Sequence, residues 1–218
     1  MKTRLALACF CGMAFALVSA PARAADVKSI ALVDAGYAAP CNVEGIRAQV
    51  EHYLNVPVTL RTIKTPKGDR TEKEWYDALQ KTRTSNDVLV IGLVAVTNLT
   101  THQGFVPQIA TGIVNVPALR TNDTVAFEKR ILRLVMRDAA FLAGLSPSLD
   151  PLCVTRQYKT LADLDNLGMN YFPPYQITFA KNAASLGLKP VHDFKAEMLK
   201  RRAAKPPAPP APPTPPAK

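Results

Sequence analysis

Hydrophobic and polar positions along this chain follow two periods, and the places where the period changes mark out the elements. Residues 27–34 form an apolar run of strand length around Ile30, Ala31, Leu32 and Val33. From Asn42 to Leu54 the spacing turns helical, with Asn42 as cap and Ile46, Val50, Tyr53 and Leu54 on one side. Residues 56–63 return to period two, Val58 and Leu60 alternating with Thr59 and Arg61. Thr71 and Glu74 make a capping box that opens a helix to about Thr82, with Trp75 and Leu79 facing the core. Residues 88–94 are continuously apolar, as suits a strand covered on both faces. Two strand-like pieces follow, 104–110 and 112–119.

The longest periodic segment runs from Thr124 to Leu145. Asn122, Asp123 and Thr124 offer capping oxygens, and no Gly or Pro interrupts it before Gly144, a C-terminal cap, with Pro147 close behind. Phe127, Ile131, Leu134, Val135, Leu142 and Leu145 share one face, and Asp138 falls on that same stripe, where a carboxylate is costly without a partner. Residues 148–170 read as loop, Phe172 to Tyr175 as a packed turn closing the core, and 186–199 as a last short helix. Alternation of strand and helix, then two strands before a long helix, predicts an α/β (α+β) fold: a mixed sheet over a long central helix, with a loop-rich C-terminal part.

The ends differ in kind from the body. Residues 1–24 have the plan of a secretory signal peptide: Lys2 and Arg4, an apolar run from Leu5 to Val18, and Ala22-Arg23-Ala24 as the cleavage site. The expected location is periplasmic or secreted, with no transmembrane segment in the mature chain. Residues 200–218 form a basic, Pro/Ala-rich tail with eight prolines between Pro206 and Pro216, expected as disordered polyproline II. One domain, residues 25–199, lies between them. The formal charge is +10, but eight of the 27 basic residues sit at the two ends, which leaves 19 against 17 acidic residues in the body. No basic face interleaved with aromatics is present, so nucleic acid is not an expected partner. Cys9 and Cys11 would leave with the signal, and Cys41 and Cys153 then read as a disulfide in an oxidising compartment, the alternative being two buried thiols.

Set on Gly144, residues 137–155 resemble a known frame. The archaemetzincins, zinc peptidases of the metzincin type, carry H-E-x-x-H-x-x-G-x-x-H-C-x4-C-x-M and, seventeen residues on, C-x-x-C. In that frame Arg137, Phe141 and Pro147 stand at the three histidine positions and Asp138 at the glutamate. Ser148 and Cys153 stand at the first two cysteines, Thr155 at the methionine, and Pro173 and Gln176 at the last two cysteines. Residues 105–110 resemble the family's edge segment and residues 112–120 the strand before its helix.

The resemblance implies a zincin-like fold. The departures from it imply the loss of the peptidase mechanism. A guanidinium stays protonated and has no lone pair to give, and the side chains of Phe141 and Pro147 have no donor atoms. The three histidines, His52, His102 and His192, are scattered. Without a metal there is no activated water. The expectation is therefore a pseudoenzyme with no catalytic or metal-binding residue and no cofactor, whose vestigial motif positions are Arg137, Asp138, Phe141, Gly144, Pro147 and Thr155. It would bind an unknown protein or peptide partner. Two alternatives stay open: a hydrolase with non-metal chemistry using Asp138 as base, and an envelope interaction protein acting through its tail.

Overall fold

The computed structural model describes residues 27–65, 68 and 70–193. The signal-like start and the proline-rich tail lie outside the described residues. So does most of the C-terminal half of the segment expected as a last helix. Five strands, β1 (Ser29–Asp34), β2 (Val58–Thr62), β3 (Asp87–Val94), β4 (Gln103–Val106) and β5 (Thr111–Asn115), form one sheet in the order β2-β1-β3-β5-β4. β1, β2, β3 and β5 run parallel, and β4 pairs antiparallel with β5 as an edge strand, Phe105 opposite Gly112 and Gln103 opposite Val114.

Helices cover both faces, which explains the uninterrupted apolar strands. On one side α2 (Glu72–Thr82) brings Trp75 and Leu79 against Ala31, Val33, Val90, Val94 and Ile113. On the other, α1 (Val43–Leu54) and the central α3 (Thr124–Leu142) pack on Ile30, Leu32, Leu89, Ile91, Leu93 and Val114. Successive residues of β1 thus point to opposite cores, as a pleated strand requires. The caps form as their residues dictate. Asn42 Oδ1 accepts from Gly45 N at 2.9 Å, Asp123 Oδ1 from Val125 N and Ala126 N, and Thr71 and Glu74 close a reciprocal capping box. No described helix is long and apolar enough to cross a membrane.

α3 is more deeply set than a single apolar face implies. Every residue from Ile131 to Leu142 is buried, Arg133, Arg137 and Asp138 included. One face meets the sheet and the other meets the C-terminal segment, which folds back over it. That segment differs from the sequence reading in two places. A short helix, α4 (Leu161–Asp165), interrupts the loop behind a Thr160–Asp163 capping box. Residues 173–185 form α5 (Pro173–Ser185), where the sequence reading has a packed turn and places the last helix later. Pro173 at the first helical position needs no amide partner there, so the proline pair starts a helix rather than preventing one. The expected helix at 186–199 is corrected: Leu186 and Gly187 end α5, and no helix is present over 188–193. The strand-like pieces 104–110 and 112–119 are also shorter than expected. Each runs into a 3-10 turn (Pro107–Ile109 and Val116–Leu119), because Pro107 and Pro117 lack the N–H that a continuing ladder needs.

Gly144 ends α3 as the sequence indicates. At φ +84° it lies in the left-handed region, with its N–H on Phe141 O and that of Leu145 on Ala140 O, the paired bonds of a Schellman close. A Cβ there would meet only Asn182 Nδ2, at 3.7 Å, so Gly144→Ala carries a backbone cost and no clash. The variant is expected to lose about 1 kcal/mol of stability, readable as a lower urea midpoint at an unchanged denaturant slope.

Candidate functional site

The motif positions singled out by the resemblance lie where α3 passes between the edge of the sheet and the returning segment. Arg137 is 5% exposed. Its Nε donates to Gln103 Oε1 on β4 at 3.0 Å, and its Nη1 donates to Val154 O at 2.7 Å and to Arg156 O. The guanidinium also lies over two rings, Phe141 at 5.2 Å and Tyr158 at 4.9 Å. Tyr158 stacks in turn on His102, with ring planes 7° apart. Phe141 packs against Phe105 of β4 at 5.1 Å. Burial pulls the Arg137 pKa down, while Tyr158, Asp138 and Cys153 pull it up less.

Asp138 is fully buried. Its Oδ1 accepts from Gln103 Nε2 at 3.2 Å, and its Oδ2 is the one buried side-chain oxygen or nitrogen among the described residues that finds no partner. The carboxyl lies against β5 where that strand has no side chain: a Cβ on Gly112 would come within 2.8 Å of Oδ2. Burial raises the Asp138 pKa well above the usual carboxylate range, and the neighbouring Arg137 offsets this only in part. Adjacent positions on a helix do not face each other, yet Arg137 and Asp138 are joined, because the Gln103 amide gives its oxygen to one and its nitrogen to the other. Sequence reasoning missed Gln103. It lies 34 residues from Arg137, and no spacing rule connects the two.

Gly144 caps the helix. Pro147 is exposed, and its carbonyl accepts from Tyr175 Oη at 3.3 Å. Thr155 is fully buried, 3.1 Å from the Cys153 sulfur. The arrangement does not fit a zinc ion: Arg137 offers only N–H donors, Phe141 a ring face, and Pro147 a backbone oxygen at the surface. Among the described residues, no group of three or more His, Cys, Asp or Glu side chains converges as ligands.

The expected disulfide is corrected: Cys41 and Cys153 are both free thiols. Cys41 precedes α1, where Asn42 N donates to Glu128 on the first turns of α3. Cys153 lies beside the far half of α3, its sulfur accepting from Phe172 N while Tyr171 Oη donates to Met136 O. Glu128 and Met136 are about 12 Å apart along the helix, well beyond the Cα separation of about 7 Å that a disulfide tolerates. Burial and Glu128 push the Cys41 thiol up to about 11, Arg120 opposing them.

No protein-family model and no curated protein matches the chain. Solved structures do. Archaemetzincin from Methanopyrus kandleri aligns with a TM-score of 0.60 and 17% identity, over 74% of this chain and 98% of that one. A zinc-dependent peptidase from Methanocorpusculum labreanum aligns with a TM-score of 0.55 and 12% identity, over 69% and 99%. Archaemetzincin from Archaeoglobus fulgidus, complexed with malonate, gives 0.54 and 12% over the same shares. The chain therefore has the mixed α/β fold of the archaemetzincins.

Two outcomes test this geometry. Burial raises the Asp138 pKa in the folded state, whereas the unfolded carboxyl ionises near pH 4, so the Asp138 contribution to stability falls as pH rises above about 4. Asp138→Asn removes that contribution while keeping an acceptor for Gln103. The difference in urea midpoint between variant and wild type is expected to shift in favour of the variant as pH rises above about 4, at up to about 1.4 kcal/mol per unit. Alkylation of protein lacking residues 1–24, denatured without reductant, should label both remaining cysteines, as read by mass.

Proposed function

We propose that this protein is an exported, catalytically inactive member of the archaemetzincin family, a periplasmic pseudoprotease that binds an extended peptide or protein segment. The observation that carries the reading is Arg137. At the position of the first zinc-binding histidine stands a guanidinium whose nitrogens already donate to Gln103 Oε1 and two backbone carbonyls. Such a group adds a permanent positive charge and supplies no lone pair. It supports the loss of metal-dependent peptidase chemistry in a fold whose solved relatives include a zinc-dependent peptidase.

Peptide binding is supported by the edge of the sheet. Among the described residues β4 pairs with β5 alone and its outer row of N–H and C=O groups has no ladder partner, and Phe105 is 39% exposed beside it. Strand addition to such an edge uses the geometry by which backbones recognise one another. Export rests on the signal-like pattern of residues 1–24 and the Ala22-Arg23-Ala24 site. A hydrolase using Asp138 is disfavoured, because the carboxyl is sealed from solvent and its free oxygen points at β5. A role for the proline-rich tail concerns residues outside those described.

Metal analysis of the mature protein, purified without chelators and paired with a peptidase assay, tests the proposal. The expected result is well under one zinc per chain and no hydrolysis above a blank. One tightly held zinc per chain with peptide cleavage would overturn it.

A further inference from the structure

Beside the pseudo-active site lies a cleft of about 610 Å³ that nothing above has used, lined by Arg137, Pro151, Leu152, Arg156, Tyr158 and Lys159, with Gln157, Asp163, Asn166 and Leu167 completing it. Its charge is one-sided. Three cations line it against one carboxylate, Asp163, and that one already serves as a capping group for the amides of Lys159 and Thr160. Hydrogen bonding to those amides holds the Asp163 carboxyl below the usual range, so it stays ionised and engaged.

Arg137 forms the inner wall. No carboxylate lies within salt-bridge distance of it among the described residues, where the other ion pairs of this chain are Arg47 with Glu44 and Glu51, Arg61 with Asp87, Lys73 with Asp77, and Arg130 with Asp165. Burial of its nearest acid, Asp138, works against the charged form of that carboxyl. Nε and Nη1 are engaged, and Nη2 donates to no group among the described residues. A buried cation with carbonyls for partners and no counter-charge is an incomplete arrangement. Arg137 lines the cleft, so its Nη2 is the donor an anion entering there would meet. The opposite wall is apolar and open: Leu152 is 72% exposed and Pro151 stands beside it. Gln103, which fixes the guanidinium, is the first residue of β4, so a chain lying along that edge runs toward the cleft.

The geometry points to a carboxylate-binding site at the end of the β4 edge, in which Arg137 Nη2, Arg156 and Lys159 take the carboxylate and Pro151 and Leu152 take an apolar side chain next to it. This deepens the peptide-binding reading and rests on it. The carboxylate can come from a peptide C-terminus or from an acidic side chain, both being planar two-oxygen acceptors that suit a guanidinium edge.

The probes are the acetylated tetrapeptide Ala-Val-Ala-Leu as free acid, the same peptide as amide, an amide with Glu as its third residue, succinate and inorganic phosphate, each titrated into isotope-labelled mature protein. The free acid is expected to shift the Arg137 Nε–Hε resonance and the Leu152 amide, and to bind about tenfold or more tighter than the plain amide. Arg156→Glu and Lys159→Glu lie at the surface and preserve the fold; each is expected to weaken the acid by about tenfold while leaving the amide unchanged. Equal binding of acid and plain amide would overturn the carboxylate site and leave peptide recognition standing. Succinate binding without either peptide would support the site and overturn the peptide reading. Phosphate binding as tightly as succinate would overturn the assignment to carboxylates. Binding of the Glu-bearing amide as tightly as the acid supports the site and assigns the carboxylate to a side chain.

Discussion

The grip of one guanidinium on two separate pieces of chain ties both to the helix that carries it. Arg137 ties the central helix to the edge strand through Gln103, and to the returning segment through the carbonyls of Val154 and Arg156. It does not act alone. Arg133 holds the carbonyls of Asp165 and Leu167, and Arg130 forms a two-pronged pair with the Asp165 carboxylate and also reaches Leu119 O. The three arginines recur at steps of three and four along α3, so they share a face. That face is buried by irregular backbone, whose carbonyls need donors that no helix or sheet supplies. Long cationic side chains satisfy them, which explains how some twenty residues of mostly irregular chain lie flat against a helix without a sheet of their own.

The buried pair at positions 137 and 138 shows how two polar side chains are accommodated in a core. An isolated carboxylate beside Gly112 would be costly, and burial raises the Asp138 pKa well above the usual range, favouring the protonated form. The Gln103 amide then has a fixed orientation, its oxygen toward the cation and its nitrogen toward the acid. Reversing the amide would place two donors, Gln103 Nε2 and Arg137 Nε, against each other.

Most of the framework was legible in the chain itself. The caps at Asn42, Thr71 and Asp123, the core faces of the three long helices, the continuous apolar run of β3 and the glycine stop at Gly144 are local signals, and local signals can be read from sequence. The mixed sheet over a long central helix followed from their order, and the archaemetzincin-like fold from the resemblance around Gly144. What was illegible depended on distance in sequence. Gln103 meets Arg137 only because β4 lies over α3, and the cleft cations Arg156 and Lys159 sat in a stretch read as featureless loop. The pairing of Cys41 with Cys153 was inferred from parity and compartment, and neither carries information about which side of a helix a thiol occupies. α5 was hidden because Pro173 and Pro174 read as breakers, although a helix tolerates proline in its first turn.

The brevity of β4 also has a bearing on solubility. An open sheet edge invites identical molecules to join, strand on strand, into growing aggregates. Here only four residues present that edge before Pro107 turns the chain into a 3-10 loop, and Ala110 at φ +50° completes the bend. The stretch is too short, and too abruptly curved, to template a stack of its own copies. An edge of this length limits the risk that comes with leaving it open.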